Sequence, residues 1–239
     1  MKDVGVILAA AGSGSRMGQD KLLLKLGGYT VLQHSAKAFA SCPDICAMVA
    51  VTRQDLLGKV RQQLEELELP FPVQVIPGGK TRQQSVAAGV QTMSGKAKFY
   101  AIHDAARPLV TAEEIASCLA DAREYGGACL SVPVKDTIQQ MDGEGFLELT
   151  PPRDRLRCAQ TPQIFDAAWY RAGMAEAKRL GLDLTDDCQV FRLSGGRVYL
   201  TPGSYTNLKI TTPEDLPLAE GILAQREQES NTQESNTME

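Results

Sequence analysis

Arg16 and Lys21 sit in one glycine-rich segment, ILAAAGSGSRMGQDKLLLKLGG, which runs from Ile7 to Gly28. The pair suggests chemistry on an anion: an arginine forks onto phosphate oxygens, and a lysine sets a compact positive charge beside them. Asp20 is the one acid close by in sequence, so the expected counter-charge is a ligand. The small residues ahead of the cations, Ala10, Ala11 and Gly12, let a base or a phosphate lie against exposed backbone N–H groups. Spacing excludes two familiar phosphate motifs. Gly12, Gly14 and Gly18 read G-x-G-x-x-x-G rather than the dinucleotide fingerprint, and Val31–Phe39 offers no acid for a ribose. The P-loop string is absent.

A second group of candidates lies downstream. PGGKTRQQSVAAG (Pro77–Gly89) joins Gly78 and Gly79, which open the backbone to a flat base, with Ser85, whose hydroxyl can bond a polar base edge. Arg82 is expected to order that loop. IHDAARP (Ile102–Pro108) follows a predicted strand, at the end where open α/β sheets hold their ligands. Asp104 there suits either a magnesium or ribose contact or an ion pair with Arg107.

The elements that must position these residues follow from periodicity. Uninterrupted short apolar runs at Val4–Ala9, Cys46–Val51, Val73–Ile76, Phe99–Ile102 and Ala128–Val132 predict strands buried on both faces. Helical spacing lies between them at Val31–Phe39, Leu56–Leu69, Gln83–Met93 and Glu113–Tyr125, so the expected fold is α/β with a largely parallel sheet covered by helices. The middle breaks the rhythm: Thr137–Gln140 and Phe146–Leu149 flank MDGEG and predict a hairpin arm, within about 136–157, suited to dimer contacts. Beyond it, Ala167–Leu180, Thr185–Leu193 and Pro213–Ala224 read as helices and Val198–Thr201 as a strand. One domain over 1–225 is expected. The tail from 226 to 239 is polar and repetitive, which predicts disorder.

Composition narrows the partners. The 239 residues are 43% hydrophobic and carry a formal charge of −4, which disfavours a general grip on nucleic acid or an anionic membrane. The six cysteines are scattered without a C-x-x-C pair, and only two histidines are present, so a zinc site is not indicated. The first apolar run begins without a signal-like leader and no run approaches the roughly 20 residues of a membrane span, so a cytoplasmic protein is expected.

LAAAGSGSRMG followed by a lysine resembles the signature of sugar and polyol nucleotidyltransferases. With PGGKTRQQSVAAG, IHDAARP, PVKDT (Pro133–Thr137), TPPRDRLRCAQTPQIF (Thr150–Phe165), LTDD (Leu184–Asp187) and NLKITTPEDL (Asn207–Leu216), the chain resembles the 2-C-methyl-D-erythritol 4-phosphate cytidylyltransferases from Val4 to about Ala224. The resemblance implies a Rossmann-like three-layer α/β/α nucleotidyltransferase fold, and transfer of the cytidylyl group of CTP to a polyol phosphate with Mg2+ as the metal. It implies that Arg16 and Lys21 stabilise the transition state, and that Ala10, Ala11, Gly12, Gly78, Gly79, Ser85 and Asp104 hold the nucleotide, Asp104 also the metal. It implies that Ala105, Arg107, Thr137 and Thr185 face substrate and that Arg153 and Lys209 are cations positioning the polyol phosphate. For Thr185 a plain helix cap is an equal reading. The family's arm crosses to a second subunit, which implies a homodimer with a shared site. A cytidylyltransferase for another polyol phosphate, such as ribitol 5-phosphate, and a non-catalytic nucleotide-binding protein are the alternatives. The spacer MGQD between Arg16 and Lys21 is short and looks more like that of the molybdenum-cofactor nucleotidyltransferases.

Overall fold

The computed structural model describes residues 2–12 and 20–237; Ser13 to Gln19, and with them Gly14, Arg16 and Gly18, lie outside the described residues. In chain order the elements are β1 (Val4–Ala10), a small ribbon of β2 (Lys25–Leu26) and β3 (Tyr29–Thr30), α1 (Val31–Lys37), β4 (Ile45–Thr52), α2 (Leu57–Glu65), β5 (Val73–Pro77), α3 (Arg82–Met93), β6 (Phe99–Asp104), α4 (Ala112–Tyr125) and β7 (Gly127–Pro133). Then come the arm strands β8 (Gln140–Met141) and β9 (Leu147–Leu149), β10 (Arg157–Asp166), α5 (Ala167–Leu180), α6 (Asp187–Leu193), β11 (Tyr199–Pro202) and α7 (Asp215–Thr237).

Seven strands form one sheet in the order β11-β7-β10-β6-β1-β4-β5. All run parallel except β10, which pairs antiparallel with both β6 and β7. The alternation of β1 explains the layers: Val4, Val6, Leu8 and Ala10 bury against α1, α2 and α4, whereas Ile7 packs on the opposite side with Val86 and Val90 of α3, Tyr170 of α5 and Phe191 of α6. The result is the expected helix–sheet–helix sandwich. Local signals set the helix starts. Thr30 and Gln33, and Thr111 and Glu114, form reciprocal capping boxes at α1 and α4, and the Asp166 carboxylate accepts from the N–H groups of Ala168 and Trp169.

Three differences from the sequence reading have physical causes. β10 was not predicted, because Gln160, Thr161 and Gln163 interrupt its apolar pattern; these side chains are nonetheless buried. Asn207 explains much of that, since its side-chain amide donates to Gln160 Oε1 and to the Thr161 carbonyl. In the tail, for which polarity predicts disorder, the backbone is helical through Thr237. Glutamine, glutamate and arginine are good helix formers despite their polarity, and Arg226 anchors the helix by donating to Leu109 O (2.9 Å) and Thr206 Oγ1 (3.0 Å). The hairpin, finally, is shorter than predicted and turns on the Asp142 carboxylate, which accepts from the N–H groups of Glu144 and Phe146.

The contact between α5 and α6 is unusually close, because a Cβ on Gly173 would fall 2.1 Å from the Val190 carbonyl oxygen. Gly173→Ala therefore forces the helices apart, and we expect a loss of roughly 2–3 kcal/mol, read as a lower urea midpoint at unchanged slope. A variant as stable as the parent would show that the helices separate freely.

Candidate active site

A cleft of about 580 Å³ opens at the C-terminal ends of the parallel strands β1, β4, β5 and β6. Its walls include Ala10 at the end of β1 with Ala11 and Gly12 after it, Lys21, Arg53 after β4, Gly79 of the loop into α3, Arg82 and Ser85 at the start of α3, Asp104 at the end of β6, and Lys209. This is the carboxyl edge at which open α/β sheets bind ligands.

Lys21 reaches the cleft from a 3-10 turn, Lys21–Leu23, that Asp20 caps by accepting from Leu22 N–H. Asp20 is itself fixed by Arg53, whose guanidinium stands 2.9 Å from its carboxylate. Arg53 was not singled out in the sequence; a cation directly behind a strand's carboxyl end was the available signal. The Lys21 ammonium donates to the Ile210 carbonyl at 2.7 Å, so it stands on the same side of the cleft as the segment carrying Lys209.

The glycine pair works as a close approach of two loops. A Cβ on Gly78 would lie 2.8 Å from the Ala11 methyl and 2.7 Å from Ser85 Oγ, so any larger residue there pushes this loop away from the end of β1. Ser85 is tied into that loop: its hydroxyl donates to Thr81 O (2.9 Å) and accepts from Gly79 N–H (3.1 Å). With its proton committed, the hydroxyl has only acceptor capacity left for the cleft.

Asp104 forms the floor. Its oxygens receive Lys209 Nζ at 2.6 Å and Arg82 Nη2 at 3.3 Å. Burial alone would raise this carboxyl's pKa; the Lys209 ammonium and the Arg82 guanidinium overcome that and hold it well below the usual carboxylate range. Its backbone is pinned as well, because Asp104 N–H donates to Thr161 Oγ1 at 3.0 Å. That hydroxyl stands 3.0 Å from His103 Nδ1, and His103 Nε2 stands 3.1 Å from Arg107 O. Burial pushes the His103 pKa down to about 4, so the ring is neutral and serves as a fixed brace.

Not every expected residue joins the cleft. Of the two readings of Asp104, an ion pair with Arg107 is not formed. Arg107 instead donates to the carbonyls of Asn207 (2.7 Å) and Ala159 (3.3 Å), clamping the Lys209 segment to β10. Ala105 is fully buried, its N–H on Ala9 O. Arg153 lies at the base of the arm, in a separate groove with Lys135 and Arg157, and donates to Lys135 O; Thr137 is exposed on the same arm. Thr185 is exposed, and the cap of α6 is Asp186, which accepts from Cys188 N–H. Arg16 lies outside the described residues. Asp187, by contrast, is buried behind the floor and pairs with Arg82; within the LTDD string nothing distinguished it from Asp186.

A cation-lined cleft over one buried carboxylate, set at the carboxyl edge of a parallel sheet beside a glycine-rich strand end, defines a nucleotidyltransferase-type α/β protein. The comparisons make this particular. A model of the 2-C-methyl-D-erythritol 4-phosphate cytidylyltransferase family (IspD) matches residues 4–225, and the chain belongs to that family. It is 38% identical over 229 residues to the enzyme of that name from Desulforamulus reducens, covering 95% of this chain and 98% of that one. To the protein of the same name from Thermosynechococcus vestitus it is 41% identical over 230 residues, covering 95% and 98%. Among solved structures, the 4-diphosphocytidyl-2C-methyl-D-erythritol synthase of Anaerococcus prevotii superposes with a TM-score of 0.83 at 27% identity, covering 93% of this chain and 99% of that one.

Proposed function

We propose that this chain transfers the cytidylyl group of CTP to 2-C-methyl-D-erythritol 4-phosphate, releasing pyrophosphate in isoprenoid precursor synthesis. The observation that carries the reading is the convergence of Lys21, Arg82 and Lys209 on one cleft at the sheet's carboxyl edge, in a member of that family. The attacking phosphate is already an anion, so no side chain has to remove a proton. What the protein supplies is in-line placement and compensation of the charge that builds on the α-phosphorus and the departing pyrophosphate. Lys21, together with Arg16, takes that role. Lys209 holds the attacking phosphate.

Among the described residues no group of three or more His, Cys, Asp or Glu side chains could hold a metal ion, and Asp104 is the carboxylate of the cleft. That donor set fits Mg2+ carried largely by triphosphate oxygens and water, with Asp104 as its protein ligand. When bound, the ion neutralises phosphate charge.

Ser85 supports cytosine as the base. A hydroxyl that can only accept suits the exocyclic amine of cytosine and leaves the corresponding carbonyl of uracil without a donor. Ser85→Ala is expected to narrow the preference for CTP over UTP by about 10-fold in kcat/KM. An unchanged ratio would assign base selection to other groups.

The arm supports a homodimer. Met141 and Phe146 are 71% and 70% exposed, and Leu147 and Leu149 are also uncovered, a cluster that suits burial against a second copy. In that dimer Thr137 and Arg153 complete the partner's site. Light scattering should give twice the mass of one chain, and Phe146→Glu with Leu147→Glu should give one; a parent of single-chain mass would remove the shared site. We take residues 1–225 as one domain. The six free cysteines, with no described helix long and apolar enough to cross a membrane, support a cytoplasmic location.

The reading is tested by pyrophosphate release from CTP with 2-C-methyl-D-erythritol 4-phosphate, with ribitol 5-phosphate as the competing acceptor. Turnover confined to the latter would replace the substrate assigned here.

A further inference from the structure

Behind the cleft floor lie two buried polar side chains that do not line the cleft themselves but are linked to three that do. Tyr170 of α5 and Asp187 of α6 are 1% and 2% exposed. The Tyr170 hydroxyl donates to Asp187 Oδ1 at 2.6 Å, and the other Asp187 oxygen receives the Arg82 guanidinium. Arg82 passes its second nitrogen to Asp104, whose remaining oxygen holds the Lys209 ammonium. The sequence separations are large: Arg82 and Asp187 are 105 residues apart, as are Asp104 and Lys209. One carboxylate would be enough to neutralise the half-buried Arg82. Two observations go further. Arg82 is shared between two carboxylates rather than satisfied by one, and the acid it shares is also the one that fixes Lys209.

We propose that Tyr170 and Asp187 are positioning residues of the reaction, which act through Arg82 and Asp104 to set the place of the Lys209 ammonium. The four ionised side chains alternate in sign along the chain, so neutralising the first changes the balance at the last. With Asp187 uncharged, both Arg82 nitrogens are drawn toward Asp104, where they compete with Lys209 for the same carboxylate. The ammonium then loses its fixed seat at the cleft wall. Tyr170 holds the orientation of Asp187, since its hydroxyl occupies the oxygen that Arg82 does not. The ring itself is kept in place by stacking on Phe165, which a phenylalanine at 170 would preserve.

The inference rests on the proposed role of Lys209 in holding the attacking polyol phosphate, and a double-mutant cycle on the full-length protein separates the two. Asp187→Asn is expected to lower kcat/KM for the polyol phosphate by about 10-fold or more while KM for CTP stays within about 3-fold. Tyr170→Phe, which keeps packing, should move the same parameter by about 3-fold. Asp187→Glu should recover part of the loss. In a Lys209→Ala background, Asp187→Asn should add less than about 2-fold, because the group it positions is gone. Full additivity with Lys209→Ala, or an equal loss for both substrates, would overturn the positioning role and leave Asp187 a purely structural acid. If Lys209→Ala itself leaves kcat/KM for the polyol phosphate unchanged, the assignment of Lys209 fails first, and this inference fails with it. Tyr170→Phe decides the matter even if Asp187→Asn does not fold: no change in its polyol phosphate kinetics would also overturn the role.

Discussion

Lys21→Ala is expected to lower kcat about 100-fold or more while KM for CTP moves only a few-fold. The asymmetry follows from what the side chain is asked to do. In the cleft the ammonium donates to the Ile210 carbonyl. The charge it has to meet becomes largest only as pyrophosphate departs, so most of its contribution belongs to the transition state and not to nucleotide binding. The turn that presents it is fixed by Asp20 and Arg53, so the alanine variant should keep its fold. Steady-state kinetics on the purified variant, with its melting temperature alongside, checks this. A loss confined to KM would make Lys21 a nucleotide-binding group, and turnover within a few-fold of the parent would remove it from the chemistry.

Asp104→Asn should have the second large effect, on stability and turnover together. The carboxylate lies between Arg82 and Lys209, at 3.3 and 2.6 Å. Removing its charge leaves two cations facing each other with only Asp187 to offset them. Breaking a buried pair in this way typically costs 3–5 kcal/mol; since both cations are partly exposed here, about 2–3 kcal/mol is the expected loss, measured by urea titration. Activity should fall by about 100-fold or more, because the neutral amide holds Lys209 less firmly and offers no anionic oxygen to the Mg2+ proposed there. A variant that keeps both stability and turnover would contradict the floor's proposed role.

The parallel sheet was legible because its strands are apolar on both faces, and the helices because their caps and spacing are local signals. β10 was not, since a strand whose buried side chains include Gln160, Thr161 and Gln163 looks like a loop until its partners, Asn207 and His103, are known. In the tail, where polarity predicts disorder, the backbone is helical, and glutamine and glutamate are good helix formers. Lys21, Ser85 and Asp104 were singled out by residue type and motif, and Lys209 by the family resemblance; the structure brings all four to one cleft. Their pairings were not found. Arg107 seemed the natural partner of Asp104 by proximity in sequence, yet the chain folds it onto two carbonyls and brings Lys209 across 105 residues instead. Asp187 and Arg53 act through such distant contacts, which only topology creates. Arg153 and Thr137 do not line the cleft of their own chain, so the role proposed for them rests on the proposed dimer.

The central claim is cytidylyl transfer to one polyol phosphate, and the most direct test is to incubate the purified protein with CTP, Mg2+ and 2-C-methyl-D-erythritol 4-phosphate. We predict that pyrophosphate and 4-diphosphocytidyl-2-C-methyl-D-erythritol appear in equal amounts, identified by phosphorus NMR, with UTP and ribitol 5-phosphate each far poorer substitutes. Absence of the diphosphocytidyl product under these conditions, in a protein that is folded and binds CTP, would contradict the account.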